Sequence, residues 1–133
     1  MAATHPRFPT LAQAVRAGTQ LVPDAAPPRR YFGVSAQTGR LGCDALAAAW
    51  FAEFYDETRT GEPGDGLEGF LSARLVEAYP VLREDLNSGC PLGAGDCPRP
   101  SGGRTLEAKI IHLQDEHEYT RAQIAEWLDA RGA

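Results

Sequence analysis

Residues 105–130 read TLEAKIIHLQDEHEYTRAQIAEWLDA, and this stretch decides the fold. In its first half, Leu106, Ile110 and Leu113 recur at intervals of three and four residues, which places their side chains on one face of a helix. His117 continues the same stripe. The pattern predicts an amphipathic helix whose apolar face packs against a core.

The second half of this stretch carries the signals of another helix. Thr120 and Gln123 have the spacing of a capping box, in which two side chains satisfy free amides at a helix start. Tyr119 and Ile124 occupy the two positions of a hydrophobic staple, and Gly132 suits the residue that ends a helix. The sequence therefore predicts a C-terminal helical hairpin.

Three further helices are predicted upstream, at residues 10–18, 45–55 and 65–79. Each has at its start a side chain that can accept hydrogen bonds from the first amides, namely Thr10, Asp44 and Asp65. We expect the first helix to end near Gly18 and the third to stop before Pro80, because proline disfavours a helical residue in front of it.

A small β-hairpin is predicted near residues 31–43, where two short strand-like runs flank a polar turn. The fold class is therefore mainly α, with about five short helices and this hairpin. A chain of 133 residues has the length of a single domain. We expect a flexible terminus over residues 1–9, a helical core over 10–86, and a Gly/Pro loop with the helical hairpin over 87–133.

Composition favours a soluble protein in a reducing compartment. Hydrophobic residues make up 43% of the chain and charged residues 23%, both ordinary for a globular protein. The sequence contains no run of about 18 apolar residues, the length that a membrane span needs, and begins with no secretory signal. The three cysteines, an odd number, indicate metal binding or free thiols more than a disulfide framework. We therefore expect a cytoplasmic location and no membrane partner.

Charge disfavours a nucleic-acid partner. The net charge is −5, and residues 43–88 alone carry −7, which repels phosphate backbones. Residues 1–42 carry +4, and Arg29, Arg30 and Arg40 in this part form a candidate basic patch. A solvated turn or hairpin is the simpler interpretation of those arginines.

Two cysteines and two histidines near the C-terminus form the best-motivated candidate site. Cys90, Cys97, His112 and His117 follow the pattern Cys-x6-Cys-x14-His-x4-His. Two thiolates and two imidazoles suit tetrahedral zinc, and four protein ligands leave no open position for a substrate. The sequence therefore predicts a structural zinc site, although the cysteines are further apart than in the usual zinc knuckle.

The composition around the cysteines gives such a site a physical purpose. Residues 89–103 include eight glycines or prolines, which exclude a regular element and leave almost no apolar side chain to anchor the segment. A metal would fix this segment against the following helix. The alternative is that both thiols are free or form a disulfide, with the histidines solvated.

Two other sequence features suggest catalysis or DNA recognition less strongly. Cys43 precedes a helix start, where the helix dipole lowers a thiol pKa, so it is the candidate nucleophile of a cysteine-dependent enzyme. The apolar neighbours Leu41 and Leu46 favour the alternative, a small buried apolar cysteine. Residues 120–128 resemble the second helix of bacterial helix-turn-helix domains, but no recognition helix follows them here. We expect a packing element.

The run from Ile111 to His117, with the Arg121, Ile124-Ala125 and Trp127-Leu128 that follow, resembles the tail of small uncharacterised bacterial and phage proteins. Those proteins have a cysteine pair upstream of a His-Leu-Asn-Asp-x-His run and an Arg-x-x-Ile-Ala-x-Trp helix. The resemblance covers roughly the last 45 residues. It implies that Cys90 and Cys97 pair with the two histidines, and it implies no activity. Gln114 stands where asparagine is usual, and the cysteine spacing is wider.

The sequence favours a non-enzymatic accessory or adaptor protein that contains structural zinc and binds another protein. Phe51, Tyr55 and Tyr79 lie at the edges of predicted apolar stripes, where they would face a partner or cap the core. One alternative is a nucleic-acid-associated regulator of phage origin that uses the zinc module and the N-terminal arginines. The other is the enzyme centred on Cys43. The sequence does not indicate an oligomeric state.

Overall fold

Five α-helices and one two-stranded sheet form the part of the chain that the structure describes. The computed structural model describes residues 6–26, 30–35, 37–54, 67–86, 89–92, 97 and 103–133. The elements in chain order are α1 (Leu11–Leu21), β1 (Phe32–Val34), β2 (Leu41–Cys43), α2 (Ala45–Glu53), α3 (Leu67–Ala78), a 3-10 helix (Pro80–Arg83), α4 (Leu106–His117) and α5 (Arg121–Ala130). The prediction of a mainly α fold with about five helices and one small hairpin is confirmed.

Helix α2 lies at the centre of the core. All nine of its residues are buried, since alanines allow close neighbours on every side and Trp50 and Phe51 fill the remaining space. The predicted cap is present, because the Asp44 carboxylate accepts a hydrogen bond of 2.8 Å from the Ala47 amide. Phe32 of β1 packs edge-to-face on both aromatic rings, which attaches the sheet to this helix.

The aromatic residues that were expected either to face a partner or to cap the core belong to the core, at the two positions that the structure describes. Phe51 is 8% exposed and Tyr79 4% exposed, so neither faces a partner. The Tyr79 hydroxyl donates to the buried Glu53 carboxylate at 2.7 Å, and that carboxylate also accepts from the Arg7 amide at 2.9 Å. Tyr55 lies outside the described residues.

Helix α1 is longer than the sequence predicts. The Thr10 hydroxyl caps it as expected, but the helix continues through Gly18 to Leu21. The prediction of an end near Gly18 was wrong, because this glycine serves packing. A Cβ atom at Gly18 would lie 1.7 Å from the carbonyl oxygen of Ala48. The missing side chain therefore lets α1 lie directly against the backbone of α2.

The predicted start and end residues of the last three helices are confirmed at the positions that the structure describes. Helix α3 ends at Ala78, ahead of Pro80, while its predicted cap Asp65 lies outside the described residues. In the C-terminal hairpin, Thr120 and Gln123 form the complete capping box. The hairpin bends at Glu118, which has a φ of 56°, the left-handed backbone that terminates α4.

Among the described residues, no helix combines the length and apolar character that crossing a membrane requires.

Candidate metal centre

A backbone bridge closes the segment that carries the two cysteines. Residues 84–86 run antiparallel to residues 104–106: the Leu86 amide donates to the Arg104 carbonyl at 2.6 Å, and the Leu106 amide donates to the Glu84 carbonyl at 3.0 Å. We call residues 87–103 the cysteine segment. Because the residues that flank it, 84–86 and 104–106, pair at the start of α4, Cys90 and Cys97 lie beside the helix that carries both histidines.

The four predicted ligands lie together. One ligand atom from each of Cys90, Cys97, His112 and His117 forms a group in which all atoms lie within 4.8 Å of one another. The Cys90 sulfur is 3.3 Å from the His117 Nε2 atom. The Cys97 sulfur is 3.5 Å from Nε2 of His112 and 3.6 Å from Nε2 of His117. This group has the geometry to hold a metal ion.

These separations fit a tetrahedron. With metal–sulfur bonds of about 2.3 Å and metal–nitrogen bonds of about 2.05 Å, a tetrahedral angle sets sulfur and nitrogen about 3.6 Å apart. Right angles in a square plane would give about 3.1 Å for the same bonds. Two of the three observed separations, 3.5 and 3.6 Å, match the tetrahedral value, and the third, 3.3 Å, lies between the two values. The arrangement therefore suits a tetrahedral ion held by two sulfurs and two nitrogens.

The end of α4 allows two histidines five residues apart to contribute to one candidate site. In a continuous helix such residues do not share a face, but His117 is the last residue of α4, and the chain turns away at Glu118. The two imidazole rings meet edge-to-face with centroids 5.0 Å apart. Burial lowers the pKa of His112, and the charge of His117 lowers it further. Both effects favour the neutral imidazole, which is the form that binds a metal.

Sequence reasoning missed Lys109, the single lysine of the chain. Its side chain is 1% exposed, and its Nζ atom donates to the carbonyls of Gly89 at 2.8 Å and Gly103 at 3.0 Å. Burial lowers the pKa of Lys109, and the charge of Arg104 lowers it further, while Cys90 acts in the opposite direction. A signal was available, because Lys109 lies on the stripe of Leu106 and Leu113, where an apolar residue is expected.

Cys43 lies in surroundings that suppress its reactivity. It is fully buried in β2, and desolvation raises the pKa of its thiol to about 12 even though the Arg121 guanidinium lies 3.6 Å from the sulfur. The expectation of a lowered pKa at a helix start was therefore wrong. Cys43 lines a cavity of about 770 Å³, and the described residues lining it include no histidine that could act as its base.

The candidate basic patch is partly neutralised. Arg40 forms an ion pair with Asp24, with 3.0 Å between Nε and a carboxylate oxygen. Arg30 lines the same cavity as Cys43, together with Asp44, Asp115 and Glu118. Arg29 lies outside the described residues. The surroundings of these arginines are thus mixed in charge, unlike the uniformly basic footprint of most nucleic-acid binders.

Comparisons with known proteins add no homologue to this picture. No family model, curated protein or solved structure matches the chain. The resemblance of the C-terminal region to small bacterial and phage proteins therefore stays a prediction. A function for this chain has to be inferred from the geometry of the four ligands and from its exposed surface.

Proposed function

We propose that this chain is a non-enzymatic accessory or adaptor protein, stabilised by one structural zinc ion, that acts by binding another protein. One observation carries the proposal: one ligand atom from each of two cysteines and two histidines lies within 4.8 Å of the others, with sulfur–nitrogen separations of 3.3, 3.5 and 3.6 Å. Catalytic zinc sites keep one position for water or substrate, whereas structural sites are filled by four protein ligands.

The ligand types favour zinc over the other common ions. Thiolates exclude magnesium and calcium, which prefer oxygen ligands, and tetrahedral geometry disfavours divalent copper and nickel. Two thiolates also neutralise the charge of a divalent ion, which suits the buried side chain of His112. Zinc satisfies the ligand types, the geometry and the charge together.

A structural role is supported by the segment that the ion would hold. The cysteine segment is rich in glycine and proline, and its described apolar side chain Leu92 is 43% exposed. Such a segment gains little from apolar burial, so ligation would attach it to α4. Metal binding in small zinc modules supplies about 10 kcal/mol or more, which exceeds the marginal stability of many domains.

Protein binding is supported by exposed apolar side chains on the hairpin. Val34 is 61% exposed and Leu41 40% exposed, and the two residues are direct partners in the register of β1 and β2. Their side chains therefore stand next to each other on one face of the sheet. This pair is the exposed apolar feature of the hairpin, and we take it as the position at which a partner would make contact.

Cobalt substitution tests whether the site is structural. Cobalt(II) replaces zinc in such sites and has visible bands that change when its coordination changes. We expect the cobalt-loaded protein to show tetrahedral bands that excess azide leaves unaltered, because no position is open. A shift on azide addition would mean an open position and would favour a catalytic metal, against the proposal.

Site-specific photo-crosslinking in the cell of origin tests protein binding. A photoreactive amino acid at Val34 should give a discrete adduct with another protein. The same probe at Gln20, an exposed position on α1, is the control and should give none. Equal adducts at both positions, or none at Val34, would contradict a binding role for the hairpin.

A further inference from the structure

We propose that Lys109 is a positioning residue of the metal site, because its ammonium group holds both ends of the cysteine segment against the helix that carries the histidines. This inference rests on the proposed zinc site and deepens it. The two carbonyls that Lys109 binds belong to Gly89 and Gly103, one near each end of the segment. Lys109 thus adds a side-chain connection between Gly89 and Gly103 to the backbone bridge that closes the segment.

The position of Lys109 on α4 connects it to the ligands. It precedes His112 by three residues, so both side chains leave the same face of the helix. Gly89 is directly followed by Cys90, and fixing the Gly89 carbonyl therefore limits where the Cys90 sulfur can lie. The lysine acts through this backbone contact.

Because Lys109 is buried, its ammonium group restricts the positions that the backbone of Gly89 and Gly103 can take. An ammonium group that is almost fully removed from water is stabilised only if its protons find acceptors, and here two carbonyls provide them. Moving the segment away would leave the charge buried without those partners. Gly103 also has to approach closely, since a Cβ atom there would lie 2.8 Å from the Cβ of Ala108.

The test compares cobalt binding by Lys109→Met with that of the unchanged protein. Methionine keeps the length and apolar stem of lysine but has no ammonium group. We expect metal affinity to fall about 10-fold or more, as on loss of residues that orient ligands. The thiolate-to-cobalt band should lose about half its intensity, because Cys90 is no longer held in place. An unchanged affinity and band in Lys109→Met would overturn the inference.

Arg104→Met is the matched control. It removes a positive charge from the same end of the segment but leaves both carbonyl contacts of Lys109, since Arg104 instead pairs with Asp85 on the surface. Its cobalt affinity should stay within about three-fold of the unchanged protein, as loss of an exposed ion pair has little effect. If Arg104→Met weakens binding as much as Lys109→Met does, charge alone explains the effect and the positioning role is wrong.

Acylation of the single lysine gives a second measurement that needs no variant. Coupling is reciprocal: if Lys109 stabilises the metal site, the metal must also stabilise the contacts of Lys109. Mass spectrometry should therefore show that an amine-reactive ester modifies Lys109 at least 10-fold faster in chelator-treated protein than in zinc-loaded protein. Equal rates in two forms that differ in bound zinc would overturn the inference. Absence of metal binding by the unchanged protein would instead refute the zinc site itself.

Discussion

The Gln114 side chain caps a helix that begins 69 residues earlier in the chain: its Oε1 atom accepts a hydrogen bond of 2.8 Å from the Ala45 amide. Gln114 lies on α4 between the two histidines, and Ala45 is the first residue of the buried helix α2. This contact satisfies a free amide at the helix start. It also connects the helix that carries both histidines directly to the centre of the core.

Replacing Gln114 by alanine should lower the free energy of unfolding by about 1–2 kcal/mol, since it leaves the part-buried Ala45 amide without its acceptor. Gln114→Glu keeps an acceptor oxygen and should retain most of the stability. Urea denaturation of both variants at the same zinc concentration measures the difference. Equal losses in the two variants would show that the hydrogen bond is not the cause.

Gly18→Ala separates helix propensity from packing, because the two predict changes of opposite sign in the free energy of unfolding. Alanine in a helix interior is favoured over glycine by about 0.5–1 kcal/mol, so propensity alone predicts a more stable protein. The contact with the Ala48 backbone predicts a loss of about 3 kcal/mol, since backbone atoms cannot move aside by changing rotamer.

Thermal unfolding checks this prediction. Gln20→Ala, at an exposed position of the same helix, should leave the melting temperature almost unchanged. A Gly18→Ala protein as stable as the parent would mean that α1 and α2 do not approach as closely as the structure shows.

The Cys43 thiol should resist alkylation in the folded protein. Its pKa is raised to about 12 from an ordinary value near 9, so the reactive thiolate is scarce at pH 8 even before access is considered. Mass spectrometry after iodoacetamide treatment should find Cys43 unmodified in native protein and modified in urea. Rapid native modification would revive the hypothesis of a cysteine-dependent enzyme.

Most of the helices could be predicted from capping residues and apolar spacing within each helix. Contacts between residues far apart in the chain could not be predicted from the sequence. The caps at Thr10, Asp44 and Thr120 involve residues within one turn, and all three are present as expected. The role of Gly18 depends on α2, which lies 30 residues further along the chain. A glycine that ends a helix and one that permits close packing look alike in a sequence.

The same distinction applies to the site. The residue types and spacing predicted that two thiols and two imidazoles lie together, because these are the side chains that a tetrahedral metal site combines. Lys109 and Gln114 were not recognised, since their partners are backbone atoms that carry no side-chain signature. Cys43 is the buried apolar cysteine that its neighbours Leu41 and Leu46 indicated, and that burial outweighs the effect of its helix-start position on the thiol pKa.

The metal content of the purified protein tests the central claim most directly. Elemental analysis of protein prepared without chelators should find one zinc ion per chain. Cys97→Ser should lose the zinc together with thermal stability, whereas Cys43→Ala, which alters a buried cysteine outside the cluster, should keep it. Zinc-free protein from a zinc-supplemented preparation, or full zinc retention in Cys97→Ser, would contradict the account.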